Sequence, residues 1–496
     1  MPRSNRAGSL AFGGLLALSC GSGGGDWSSA ELLLPRADER YEPVECWFRP
    51  PAARAARCGY VTLPDEGERD GSVAIATMVL LGAGGRDDPV VFLDGGPGVS
   101  AIAKAASDPF LLAPFLAQRD VVLVDQRGTG FSEPALHCQQ TDGSPRGCLE
   151  RLAALGHDLG GYDTRANAGD IDAVRQSLGY ERWAAYGSSY GTRLALTLAR
   201  DFAEGLSAMI LDGVVPLQLD FLAEAPVAYA EAFEALDRAC ASQPGCGAGA
   251  GDLERALFES AGRLSGTPVL VTGAGGNEVP IDDVGVVAAV RQLLESGPFI
   301  PYLPALVRRF SAGDLSFLGD YLGPRAPRSA ALPGVAIGTY YSVLCQDEAT
   351  FTTPERVAAA AARVEALFSL AFDAEALLEV CSDVPISALP DPENGAENAA
   401  VASDVRTLAI SGAFDPITPP RYAWLALETL ADADHVVLPD QGHGAGFSAC
   451  GMEIIASFLA GREARGAACL DDAEMPLFSA DLPSLGEPVA SEPAAL

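Results

Sequence analysis
Short runs of uninterrupted apolar residues punctuate the chain, each followed by a loop rich in Gly, Asp or Pro. They cover residues 89–93, 120–124, 182–186, 208–211, 406–410 and 435–438. Four or five apolar positions in a row predict parallel strands buried on both faces, because a half-exposed strand alternates. Between several of these runs the period lengthens. Residues 170–178 are amphipathic at helical spacing, and 192–200 follow as a second helix. Alternating strands and helices predict an α/β fold with a mostly parallel sheet.

The rhythm breaks between about 217 and 400. Helical pattern dominates there, at 226–241, 253–264, 284–294 and 354–367. The expected organisation is an α/β core at 41–216, a helical insertion at 217–400, the rest of the core at 401–470, and an acidic, Pro-rich tail at 471–496. That tail has little helical pattern and reads as a loose extension. An independent second domain is the alternative for 217–400.

The start of the chain differs in kind. Arg3 and Arg6 precede an apolar run at 10–18, which ends at Ser19-Cys20-Gly21. A basic start, a short apolar segment and a small-residue boundary predict a signal peptide over 1–20. The run is too short to span a bilayer stably. Cys20 at the boundary, before the flexible "GSGGGD", resembles a bacterial lipoprotein signal. That resemblance implies lipidation of Cys20 and a linker over 21–40, with plain secretion as the alternative. Membrane attachment is expected only through that lipid.

The cysteine pattern fits export. Without Cys20, ten remain in close couples: Cys46 and Cys58, Cys138 and Cys148, Cys240 and Cys246, Cys345 and Cys381, Cys450 and Cys469. An even count in an exported chain predicts disulfides. Sequence leaves the connectivity open; nearest-neighbour pairing is the working expectation. No C-x-x-C occurs and the four histidines are scattered, so no metal site is expected.

Charge narrows the partners. The chain holds 33 basic and 66 acidic residues, a formal net charge of −33. A nucleic-acid binder needs a basic face, and this balance argues against one. The acid excess reads as a solvated surface, with some attraction for cationic substrates such as peptide amino termini. Lys104 is the only lysine.

The stretch "YGSSYG" (186–191) carries the candidate chemistry. A sharp strand-to-helix turn can lift a serine clear of a sheet, provided the residues two before and two after are small. Centred on Ser189, those positions are Gly187 and Gly191. Centred on Ser188, they are Tyr186 and Tyr190. Ser189 is therefore the expected nucleophile. A serine hydroxyl needs a base, and chain order in such folds is Ser, acid, His. Only His435 and His443 follow Ser189. His435 opens an apolar strand, whereas His443 sits in the glycine-flanked loop "DQGHGAG". Asp415, just past the strand ending at 410, is the expected orienter of His443. Oxyanion donors are expected from the Tyr190 N–H and from Gly95 or Gly96 in "DGGPG", since Pro97 has no N–H.

Taken together, "GGPG", "DQRGTGFS" (125–132), "GSSYGT", "GAFDPITP" and "GHG" resemble the secreted α/β-hydrolase peptidases of the proline iminopeptidase and tripeptidyl aminopeptidase group. The resemblance runs from about 46 to 469, and the end of the chain is similar to that group's tripeptidyl-peptidase-like C-terminal region. It implies an α/β-hydrolase fold with an inserted helical cap. It also implies serine-type release of residues from peptide amino termini, without a cofactor. Acidic residues that hold the substrate ammonium are implied too; Asp347 and Glu348 in "SVLCQDEAT" are the matching positions. Proline iminopeptidases carry His before the G-G-P-G; here it is Asp94, which leans toward the tripeptidyl branch. Two other readings remain: a carboxylesterase on the same fold, and a non-catalytic ligand-binding surface lipoprotein.

Overall fold
A computed structural model describes residues 37–64, 71–84, 88–108, 111–138, 144–244, 246, 251–273, 276–322, 334–383, 396–479 and 481. The expected signal segment, Cys20 and the linker as far as 36 lie outside the described residues, as does the tail from 482.

One nine-stranded sheet organises the chain. Its strands are β1 (Tyr41–Val44), β2 (Ala55–Pro64), β3 (Ser72–Leu81), β4 (Val90–Leu93), β5 (Val121–Val124), β6 (Trp183–Ser188), β7 (Leu206–Asp212), β10 (Thr407–Gly412) and β11 (Ala433–Leu438). The spatial order is β1-β2-β3-β5-β4-β6-β7-β10-β11. From β5 to β11 every pairing is parallel; β1, β2 and β3 form an antiparallel flank.

The six apolar runs each became a strand of the parallel part. Their continuous hydrophobicity has a direct cause, because both faces are covered. Val90, Phe92, Ala184, Tyr186, Ile210, Leu408 and Ile410 pack into one core cluster. Val91, Leu93, Ala185, Leu211 and Ala409 pack into the other. Each large side chain so buried stabilises the fold by about 1.5–3 kcal/mol.

The chain leaves the sheet after β7 and returns at β10. Helices Phe221–Ala241, Asp252–Leu264, Asp283–Glu295, Leu303–Ser311, Ile337–Asp347 and Pro354–Ala361 fill the interval. Most of these helices share a separate core, with Tyr229, Phe233, Leu257, Val290, Phe310 and Phe368 fully or nearly buried. Two details depart from the sequence reading. A hairpin, β8 (Val269–Thr272) with β9 (Glu278–Ile281), interrupts the helices. The helix expected over 354–367 ends at Ala361, and a 3-10 turn at Ala366–Ala371 follows. That turn delivers Phe368 edge-on to Tyr229, 5.0 Å between ring centroids, so tertiary packing overrides local helical preference.

The start of the tail is also less loose than its composition suggests. The side chain of Gln243 accepts from the Phe478 N–H at 3.1 Å and donates to the Pro476 carbonyl at 2.8 Å. The Ser479 N–H donates to the Pro301 carbonyl at 2.9 Å.

Among the described residues, all five expected cysteine couples are disulfides. No helix of the described residues is long and apolar enough to cross a membrane. The Cys345–Cys381 bridge spans 36 residues of the insertion. Replacing both cysteines with serine should lower unfolding free energy by about 2–4 kcal/mol, measured by denaturant titration against the oxidised parent.

Candidate active site
Ser189 sits between β6 and the helix Tyr190–Asp201, with φ 54° and ψ −123°. Among the described residues it is the one non-glycine residue with positive φ. Such a conformation costs about 1–3 kcal/mol and persists only where surrounding structure enforces it. Enforcement comes from close packing. A Cβ on Gly187 would lie 2.3 Å from the Gly191 carbonyl oxygen, and one on Gly191 would lie 2.1 Å from that of Leu93. The Ser189 N–H donates to the Asp212 carbonyl at 2.8 Å, locking the turn to β7. Its hydroxyl makes no capping bond to the helix it precedes.

Asp415 lies past the end of β10 and is fully buried. One carboxylate oxygen accepts from the N–H groups of Ile417 and Thr418, at 2.8 and 2.9 Å. The other accepts from the Thr418 hydroxyl at 2.6 Å and meets His443 Nδ1 at 2.8 Å. Burial alone would raise this carboxyl, but the His443 charge and these hydrogen bonds hold it below its ordinary value. An ionised carboxylate only accepts, so Nδ1 carries the proton and Nε2 is left as the basic nitrogen.

The loop bearing His443 is fixed from the insertion side. The His443 N–H donates to the Glu295 carbonyl at 2.9 Å, at the end of the helix Asp283–Glu295. His443 and Ser189 converge on the end of β7. Ser189 is bonded to Asp212, and a Cβ on the next residue, Gly213, would come 3.0 Å from His443 Cε1. His435 plays a different part. It is buried, within 3.0 Å of the Ser411 hydroxyl and edge-on to Trp424, and burial pushes its pKa down to about 4.

The glycine loop after β4 approaches Ser189. A Cβ on Gly95 would meet the Ser189 Cβ at 2.9 Å and the Tyr190 nitrogen at 3.4 Å. The Gly95 N–H donates to the Asp94 carboxylate at 2.8 Å, and Lys104 pairs with the same oxygen at 3.1 Å. Gln126 donates to the Asp94 carbonyl at 3.1 Å. Beneath them Asp125 is fully buried and accepts from the Ser100 hydroxyl and from the Ile102 and Phe131 N–H groups. Burial pushes its pKa up to about 6 despite those bonds. The motif "DQRGTGFS" thus builds the floor that supports the glycine loop.

Asp347 and Glu348 lie deeper. Arg193, on the helix after Ser189, pairs with Glu348 at 2.9 Å and donates to the Asp347 carbonyl at 3.2 Å. Asp347 accepts from the Thr164 N–H at 3.1 Å and from its hydroxyl, which in turn meets the Tyr190 hydroxyl at 2.8 Å. Asp347 is therefore linked through Thr164 to Tyr190, the residue beside Ser189. Burial pushes Glu348 up to about 7, against the pull of Arg193, and drives Asp347 the same way.

Residues 88–263 match the family model described as the alpha/beta hydrolase fold, and residues 369–469 match that of TAP-like protein. The chain has the α/β-hydrolase fold. Among relatives of this hydrolase is YuaR of Escherichia coli strain K12, a hydrolase by name. It is 25% identical over 459 residues, covering 84% of this chain and 88% of YuaR. The serine protease Hip1 of Mycobacterium tuberculosis strain H37Rv is 30% identical over 259 residues. That match covers 45% of this chain and 49% of Hip1, so the chain aligns with about half of that protein. Carboxylesterase B of the same strain is 27% identical over 413 residues, 74% of this chain and 76% of the esterase.

Several residues that shape this site were not singled out from sequence as parts of it. Lys104 was noted only as the sole lysine, and Asp94 only as a departure from a family pattern. Asp212 ends an apolar strand with no motif around it.

The raised carboxyls predict a pH effect. A native carboxyl with raised pKa binds protons that the unfolded chain has released, so its stabilising contribution is present below the unfolded pKa of about 4 and is lost as pH rises toward about 7. Asp347→Asn should flatten part of that loss. Denaturant unfolding at pH 5 and pH 8 should show a smaller drop for the variant than for the parent.

Proposed function
We propose that this hydrolase is a serine exopeptidase, releasing short peptides or single residues from the free amino terminus of peptides. What carries the reading is the strained Ser189 turn and the His443–Asp415 pair, both held at the end of β7. Ser189 Oγ attacks the scissile carbonyl carbon while its proton passes to His443 Nε2. Asp415 orients the imidazole and stabilises the imidazolium. The developing oxyanion takes the N–H of Tyr190 and, because the Gly95 N–H is occupied by Asp94, that of Gly96. The C–N bond breaks, His443 returns the proton to the leaving amine, and an acyl-Ser189 ester remains. Water, activated by His443, hydrolyses that ester and regenerates the serine. These steps call for no cofactor.

Residues 217–400 serve in this reading as a cap over the rim. Asp347 and Glu348 are the acids that recognise the substrate ammonium in this reading. The Glu348 carboxylate pairs with buried Arg193, which also donates to the Asp347 backbone carbonyl, while the Asp347 carboxylate is held by Thr164. The peptidase relative Hip1 supports a peptide substrate. The disulfides support an exported protein, held at the envelope through Cys20 or released. A second reading, a carboxylesterase, is favoured by the likeness to Carboxylesterase B over three quarters of that protein.

Ser189→Ala should reduce turnover by about 10⁶-fold with an unchanged unfolding midpoint; retained hydrolysis would end the assignment. Peptidyl reporters with free and acetylated amino termini separate the two readings. A peptidase that binds the ammonium should cleave the free form about 10- to 100-fold faster, the worth of one charge-assisted hydrogen bond. Equal rates would favour the esterase. Mass spectrometry of digested peptides then counts the residues released.

A further inference from the structure
Asp212 is fully buried at the end of β7, yet the chemistry above uses only its backbone. Its side chain reaches the other way. One carboxylate oxygen accepts from the Gly446 N–H at 3.0 Å, the other from the Tyr186 hydroxyl at 2.7 Å. Gly446 lies three residues beyond His443. It has no room for a side chain: a Cβ there would lie 2.6 Å from Asp212 Oδ2 and 3.0 Å from the Tyr186 hydroxyl. Tyr186 is itself held in an aromatic cluster, with Phe92 at 5.1 Å, Phe115 at 5.3 Å and Phe447 at 5.7 Å between centroids. One residue thus grips the nucleophile turn with its carbonyl and the histidine loop with its carboxylate.

We propose that Asp212 is a positioning residue, which ties the His443 loop to the Ser189 turn and places a negative charge behind the imidazole. The proposal rests on the reading of Ser189 and His443 given above. The Asp212 carboxylate accepts from two neutral donors, the Tyr186 hydroxyl and the Gly446 N–H. The charges facing it are His443, whose protonated form attracts it, and Asp415, which repels it. On the insertion side, Glu295 meets the loop through its carbonyl, while its carboxylate pairs with Arg291 at 3.5 Å. Burial pushes the Asp212 carboxyl up to about 6, so it is ionised at neutral pH and becomes neutral on acidification.

The consequence is a coupling of known sign. An ionised Asp212 favours the imidazolium and so raises the pH at which His443 gains its proton. The rate at which a fluorophosphonate labels Ser189, followed from pH 4.5 to 9, reads that proton without reference to any substrate. Asp212→Asn should slow labelling at pH 8 about tenfold and move the acid midpoint down by about 0.5–1 pH unit. Tyr186→Phe keeps the ring and removes one donor, so the carboxylate is less favoured and the midpoint should move the same way by less. It also serves if Asp212→Asn does not fold. A parent that labels, with variants that share its rate and midpoint, would overturn the proposal and leave the serine reading intact. A parent that never labels would overturn both.

Discussion
The backbone at Ser189 is the constraint around which the rim is arranged. An L-residue with φ 54° does not stay there unaided. It is held because Gly187 and Gly191 allow β4, β6 and the following helix to approach at contact distance, and because β7 takes its N–H. One backbone hydrogen bond contributes about 1 kcal/mol net, comparable to the strain itself. The close packing of bare backbone must supply the rest. Once the turn is fixed, the ends of β7, β10 and β11 lie side by side in register, with Asp212 beside Ile410 and Gly412 beside Leu438. The loops that leave those ends have little freedom about where they begin.

Electrostatics is solved locally under that rim. Taking a carboxylate out of water costs several kcal/mol unless donors or charges replace the solvent. Asp415 has backbone donors, a hydroxyl and His443. Asp94 has Lys104, Asp125 has three separate donor residues, and Glu348 has Arg193. These acids are drawn from all along the chain, yet they gather beneath one surface. The chain's acidity is therefore more than a solvated exterior, although the exterior holds most of it.

What the sequence made legible follows from where the signal is redundant. The six parallel strands were readable because burial on both faces forces continuous apolar runs. The sharp turn at Ser189 was readable because it demands small residues at two fixed offsets, Gly187 and Gly191. The antiparallel flank was missed for reasons of composition. β1 is four residues containing Pro43, and β2 contains Gly59 and Arg57 within a half-covered strand. β3, in contrast, carries the run "VAIATMVLL", a strand signal that was available and unused. The hairpin of β8 and β9 was overlooked although "GAGGN" separates its β-branched halves. The site's supporting acids were not legible at all. Nothing in the linear order of Asp94 and Asp212 states that their side chains meet Gly95 and Gly446, or that Lys104 pairs with Asp94; only the folded register does.

Lys104 leaves the molecule with an unusual surface chemistry. Its ammonium is mostly buried, paired with Asp94 and 4.5 Å from the centre of the Phe447 ring. No other lysine exists to compete for acylating or crosslinking reagents. A reagent that does modify this side chain would report on the underside of the glycine loop, and loosening of that loop would register as a rise in labelling at a single position.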